Sequence, residues 1–155
     1  MPIYRIPPDA LNLQPRGVVL ADFPAALQRI NAQASLFVQR EAVSLAPRDT
    51  GALARSIQAR VTDLTVVVSV PTSQPTSRYA NVMEEGRNAN RPMPPVAAMA
   101  GWFRRHGIPQ SEWFVVARSI GRRGITGRFY MRRAFERLQQ EMPSIVGRVL
   151  GQMGL

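Results

Sequence analysis

From Asp22 onward the apolar residues Phe23, Leu27, Ile30, Ala34, Phe37, Val38, Ala42 and Leu45 recur at steps of three and four, while Arg29, Gln33 and Arg40 fall on the other side. That period predicts one long core-packing helix, with Asp22 as its amino-terminal cap, Pro24 tolerated in its first turn and Pro47 as its stop. In the turn that follows, Pro47 to Ile57, Asp49 or Thr50 stands where a side-chain oxygen can accept from the first amides of a short helix. The pattern then changes to β-branched runs. Ser56 to Val61 and Thr65 to Val70, separated by Thr62-Asp63-Leu64, predict an antiparallel hairpin. The unbroken Val66-Val67-Val68 predicts a second strand covered on both faces, by the long helix and by another subunit.

Two proline-, serine- and glycine-rich stretches, Pro71 to Ser77 and Gly86 to Pro95, read as loops. Between them Tyr79 to Glu85 is short, helical or extended, and closed by Gly86. Pro95 then opens an apolar helix through Met99, Trp102 and Phe103 that Gly107 ends, and Ser111 is placed to cap another carrying Phe114, Ala117 and Ile120 up to Gly121 or Gly124. Arg128-Phe129-Tyr130-Met131 reads as a short edge strand. Beyond it Phe135, Leu138, Met142, Ile145 and Val149 form one helical stripe in which Pro143 predicts a kink or break.

Residues 1–20 show no such period. Pro2, Pro7, Pro8 and Pro15 alternate with scattered apolar residues, which predicts an extended arm that packs on its own domain or on a neighbouring subunit. The fold class expected is therefore α+β: an arm over 1–20, then a single domain over 21–155 in which a long helix packs on a small antiparallel sheet, with short helices and a carboxyl-terminal helix. A chain of 155 residues is long enough for such a core without staples.

Composition narrows the chemistry. With no cysteine there are no disulfides or thiolate zinc sites, and one histidine, four aspartates and six glutamates lie without metal-ligand spacing, so no metal and no cofactor is expected. His106 follows Arg104 and Arg105 and precedes Gly107, as befits a helix carboxyl end. Glu84 and Glu85 are adjacent and point apart, which makes a poor acid/base pair. No H-E-x-x-H, Walker or G-x-S-x-G motif occurs, and the inventory points away from catalysis. No apolar run reaches membrane-spanning length, so no membrane partner is expected.

Charge adds a different signal. The net charge is +10, and all twenty basic residues are arginine. Arginine suits phosphate, carboxylate and interface pairing, although a GC-rich genome gives the same bias. The excess concentrates after residue 100, and Arg122, Arg123, Arg128, Arg132 and Arg133 fall in a stretch without any acid. They are the residues expected to face DNA or an acidic partner.

Three blocks of the chain, in order, resemble the tail-completion and neck proteins of long-tailed bacteriophages. They are Pro47, Asp49, Thr50, Gly51, Leu53, Ser56 and Ile57 after the long helix; Tyr79, Ala80, Glu84 and Gly86 as Tyr-Ala-x-x-x-Glu-x-Gly; and Arg128, Phe129, Met131, Ala134 and Phe135 leading into the last helix. The Pro94-Pro95 helix with Trp102 and the Gly121 to Gly124 region resemble an insertion found in some members. The resemblance implies a non-enzymatic virion protein, made in the host bacterial cytoplasm, that forms a ring, a hexamer by analogy with tail tubes, at the head-tail joint. Its partners would be connector, tail-tube or tail-terminator proteins, with non-specific contact to genomic DNA. On this reading Asp49, Thr50, Gly51, Tyr79, Glu84 and Gly86 serve subunit contact or the fold, and Glu84 pairs with an arginine across a subunit boundary. The alternative from charge alone is a free, sequence-nonspecific nucleic-acid-binding protein, for which Gly121-Arg122-Arg123-Gly124 is a lone KH-like match; a nuclease or toxin lacks a supporting constellation.

Overall fold

The computed structural model describes residues 4–5, 22–62 and 65–154, with residues 4 and 5 by backbone only. The rest of the expected arm over 1–20, and the turn residues 63 and 64, lie outside the described residues. The chain divides into two compact units, one formed by residues up to Glu84 together with Phe129 onward, the other by Glu85–Arg128.

In the first unit α1 (Phe23–Leu45) has the expected extent, but Asp22 makes no side-chain capping bond, and Pro24 in the first turn is the local start signal. Its core stripe is Leu27, Ile30, Ala34, Val38 and Ala42, with Ala26 and Asn31 also buried. A short helix α2 (Ala52–Ser56) leads into β2 (Gln58–Thr62), and the hairpin partner is β3 (Thr65–Ser69). Pairing is antiparallel from Gln58↔Ser69 to Thr62↔Thr65, and β1 (Tyr4–Arg5) adds to the free side of β3, giving the order β1-β3-β2.

Val66 and Val68 are fully buried whereas Val67 is half-buried. Side chains alternate across the sheet, and α1 packs on it, as expected for one face of the valine run. After α3 (Ser77–Glu85) the unit resumes at α6 (Tyr130–Met153), whose Tyr130, Met131, Ala134, Leu138, Ile145 and Val149 join α1 and the sheet in one core. α1 packs more extensively on α6 than on any other element, and Ala34, Ala42 and Ala134, all fully buried, let the two helices approach. The fold is α+β.

The expected break at Pro143 does not occur, and α6 runs through that residue as one helix. Pro143 and Gln139 are both exposed, so the carbonyl that loses its amide partner faces water. The segment Arg128 to Met131 is not a strand either, because Tyr130 already opens the helix and Phe129 stands before it at φ +51°.

The second unit opens with β4 (Gly86–Arg87), where a loop was expected, and closes with β5 (Ile125–Thr126), paired antiparallel with it. Between them run α4 (Val96–Arg105), a 3₁₀ turn over Gln110–Glu112 and α5 (Trp113–Arg123). Ser111 sits inside the 3₁₀ turn and does not cap α5. As expected, His106 terminates α4: its Nδ1 lies 2.9 Å from the Trp102 carbonyl, its ring stacks on Trp102, and Gly107 follows at φ +65°. Phe103 is fully buried and stacks on Trp113, whose Nε1 donates to the Ile108 carbonyl at 2.8 Å.

Candidate functional site

The first block of candidate residues builds a turn. Gly51 adopts φ +74°, a left-handed conformation that a side chain resists, and the Ala52 amide donates to Thr50 Oγ1 at 3.3 Å. Asp49 is exposed in the same turn. Behind it a buried polar relay ties α2 to the segment before α3: Thr76 Oγ1 donates to Ser56 Oγ at 2.7 Å, and Ser56 Oγ donates to the Leu53 carbonyl at 2.8 Å. Gln39 Nε2 on α1 donates to the Ile57 carbonyl at 3.0 Å and fixes the exit from α2.

The second block closes the first unit. α3 turns Ala80 and Glu84 inward, four residues apart and so on one face, while Tyr79 is 40% exposed. Glu84 is fully buried. Its Oε2 accepts from the Met131 amide at 2.8 Å, its Oε1 from the Arg132 amide at 3.0 Å, and its main-chain carbonyl accepts from the Phe129 amide at 2.9 Å. The first amides of a helix have no intrahelical acceptor, and Phe129 supplies no side-chain cap, so a carboxylate 47 residues away in sequence caps α6. Glu84 is therefore used inside the fold and presents no surface for the expected arginine pair across a subunit boundary. Glu85 beside it is exposed.

Gly86 follows at φ +84°, where a Cβ would run into the Ile125 carbonyl and within 2.6 Å of the Gly127 amide nitrogen. Only glycine allows β4 and β5 to lie this close.

The five arginines expected to form one basic surface lie in different units. Arg122 and Arg123 are exposed at the carboxyl end of α5, and Arg128 is exposed after β5. Arg132 and Arg133 are exposed in the first turn of α6, Arg132 with its guanidinium 4.5 Å from the centroid of Phe129. Cations suit a helix carboxyl end and oppose an amino end, so Arg132 and Arg133 sit against the α6 dipole, in the turn where Glu84 supplies the counter-charge.

Sequence reasoning missed a second ingredient of the surface. Phe114, read as part of an apolar stripe, is 55% exposed, and Val115 beside it is 65% exposed. On the first unit Leu36 is 69% exposed at the edge of a shallow depression of about 650 Å³ lined also by Phe37, Arg40, Glu141 and Arg148. Arg137 pairs with Glu41 at 2.6 Å and Arg148 with Glu141 at 3.6 Å, linking α1 to α6 and α6 to itself. Leu36 and Val115 fall outside the stripes of their helices, which was a signal in the sequence, whereas Phe114 fits the spacing of Ala117 and Ile120 and gave none.

Among the described residues no group of three or more His, Asp or Glu side chains is placed to hold a metal ion, and no helix is long and apolar enough to cross a membrane. Comparison with protein-family models, curated proteins and solved structures gives no match.

Proposed function

We propose that the chain is a structural subunit of a tailed-bacteriophage virion, a tail-completion or neck protein assembling into a ring, six-membered by analogy, at the head-tail joint through which DNA passes. The observation that carries the reading is the closure made by Glu84. The Tyr-Ala-x-x-x-Glu-x-Gly residues that resemble the phage family hold the start of the terminal helix: Ala80 packs in the core, Glu84 caps α6, and Gly86 admits a close strand crossing. The region that resembles an insertion, around Pro94 to Gly124, falls within a compact unit of its own. Exposed Leu36, Phe114 and Val115, with an all-arginine basic complement, supply the mixture of apolar and guanidinium surface that protein interfaces favour.

Sedimentation velocity and negative-stain microscopy of the purified full chain test the reading, together with immunoblotting of purified virions. A closed ring and a virion-borne band support it. A strict monomer absent from particles overturns it. The alternative, a free nucleic-acid-binding protein, draws on exposed Arg118, Arg122 and Arg123 along α5. It requires a monomer whose affinity for duplex DNA falls steeply with salt, by roughly 0.9 in log-log slope per phosphate contacted.

A further inference from the structure

Phe114, Val115, Arg118, Ser119, Arg122 and Arg123 line a shallow depression of about 330 Å³ on α5. The steps between them are one and three, so they share one helix face over about 13 Å of axis at 1.5 Å per residue. Its amino half is apolar and its carboxyl half cationic. Arg118 and Arg122 stand one turn apart, a like-charge spacing that disfavours the isolated helix. No acid occurs from Trp113 to Phe135, and among the described residues no carboxylate pairs with Arg118, Arg122 or Arg123. The strip thus lacks both a cover for two large apolar side chains and a counter-charge for three guanidinium groups.

We infer that this strip docks an acidic amphipathic helix of a partner protein. Charge complementarity selects an anionic occupant. The apolar half then selects protein over nucleic acid, because a duplex backbone presents phosphates to the arginines and leaves Phe114 and Val115 in water. A straight strip of two to three turns matches the length over which one helix lays its apolar face on another. A second copy of this chain is a poor occupant of this strip, because its two long helices, α1 and α6, each carry more arginines than acids and offer no acidic face. The inference goes beyond the virion role and does not require it.

The test uses the full-length protein and fluorescein-labelled probes at about 150 mM salt: an 18-residue peptide with leucines at three-four spacing flanked by glutamates, the same residues scrambled, and a 20-base-pair DNA duplex. The ordered peptide should bind at least tenfold more tightly than the scrambled one. Phe114→Ser with Val115→Ser should weaken it at least tenfold and leave duplex affinity unchanged. Arg118→Gln, Arg122→Gln and Arg123→Gln together should weaken the ordered peptide and flatten its salt dependence. On the unaltered protein, amide chemical-shift changes caused by the ordered peptide should centre on residues 113–123. Equal affinity for the two peptides, shifts centred elsewhere, or displacement of the ordered peptide by equimolar duplex overturns the inference. So does self-association that the Phe114 and Val115 changes abolish, which makes a second copy the occupant. A ring that ignores the peptide sinks this inference alone, and a monomer that binds it sinks the virion reading alone.

Discussion

Glu84→Gln is nearly isosteric, and it removes only the charge and one acceptor from a site whose geometry is fixed. The carboxylate gives one oxygen to the Met131 amide and the other to the Arg132 amide, at 2.8 and 3.0 Å, with no exposure to water. A carboxamide has one oxygen, so its amino group must meet one of these amides donor to donor. One charge-assisted bond is lost, which costs about 1.5–3 kcal/mol with a buried amide left unmade. The loss of a negative charge at the amino end of α6 adds about 0.3–1 kcal/mol. The sum is about 3 kcal/mol, and at about 2–4 °C per kcal/mol for a chain of this size the melting temperature should fall by about 6–12 °C.

Thermal melts followed by far-ultraviolet circular dichroism measure this, with Glu85→Gln as the control. Glu85 is the adjacent carboxylate, on the same helix and exposed, so its change should stay within about 0.5 kcal/mol. A Glu84→Gln protein that melts within about 2 °C of the unaltered one refutes the capping role. Equal losses in both variants refute it as well, because they would trace to net charge and not to the bonds.

Gly86→Val should destabilise by at least about 2 kcal/mol, because φ +84° resists a β-branched side chain and the new Cβ meets the Ile125 carbonyl; an unchanged urea midpoint would contradict the close crossing of β4 and β5. Removing residues 1–20 takes β1 from the edge of β3 but leaves the α1 and α6 core, so helical circular dichroism should persist, while the self-assembly that the proposed virion role requires should weaken in sedimentation; loss of folding would place the arm in the core. Arg122→Gln with Arg123→Gln should lower stability slightly, and Arg132→Gln with Arg133→Gln should leave it unchanged or raise it, by about 0.3–1 kcal/mol per charge. Parallel denaturant titrations at low salt read the difference, and identical signs for the two pairs would contradict the dipole account.

α1 and the hairpin were legible because their signals are local: a three-four stripe and a pair of β-branched runs identify themselves without knowledge of a partner. The beginning of α6 was not. Helix starts are read from a capping residue just upstream, and here the acceptor for the Met131 and Arg132 amides is on α3. With that cap invisible, Arg128-Phe129-Tyr130-Met131 looked like a strand, and Glu84 looked like a partner for an arginine across a subunit boundary. Pro143 misled for the opposite reason, since a local rule was applied where water on the exposed face relieves it. The ladder that closes the unit over Glu85–Arg128 escaped notice because it is two residues long on each side, too short to leave a period.

The basic cluster of the sequence likewise divides once helix ends are known. Arg122 and Arg123 close α5, where the dipole favours them, a local contribution to which any contact they make is added. Arg132 and Arg133 open α6, where the dipole opposes them, and they are held there by a turn that already contains a buried carboxylate and, for Arg132, the face of Phe129. Arg118 belongs to neither end. It lies in the middle of α5, one turn from Phe114 and one turn from Arg122, and no helix-end argument explains a guanidinium at that point. Changing all five cluster arginines together would therefore mix a stabilising pair with an opposing pair and leave Arg118 untouched. A contact surface on α5 is better separated from helix electrostatics by Arg118→Gln alone, whose cost in stability should be near zero and whose cost in partner affinity should not.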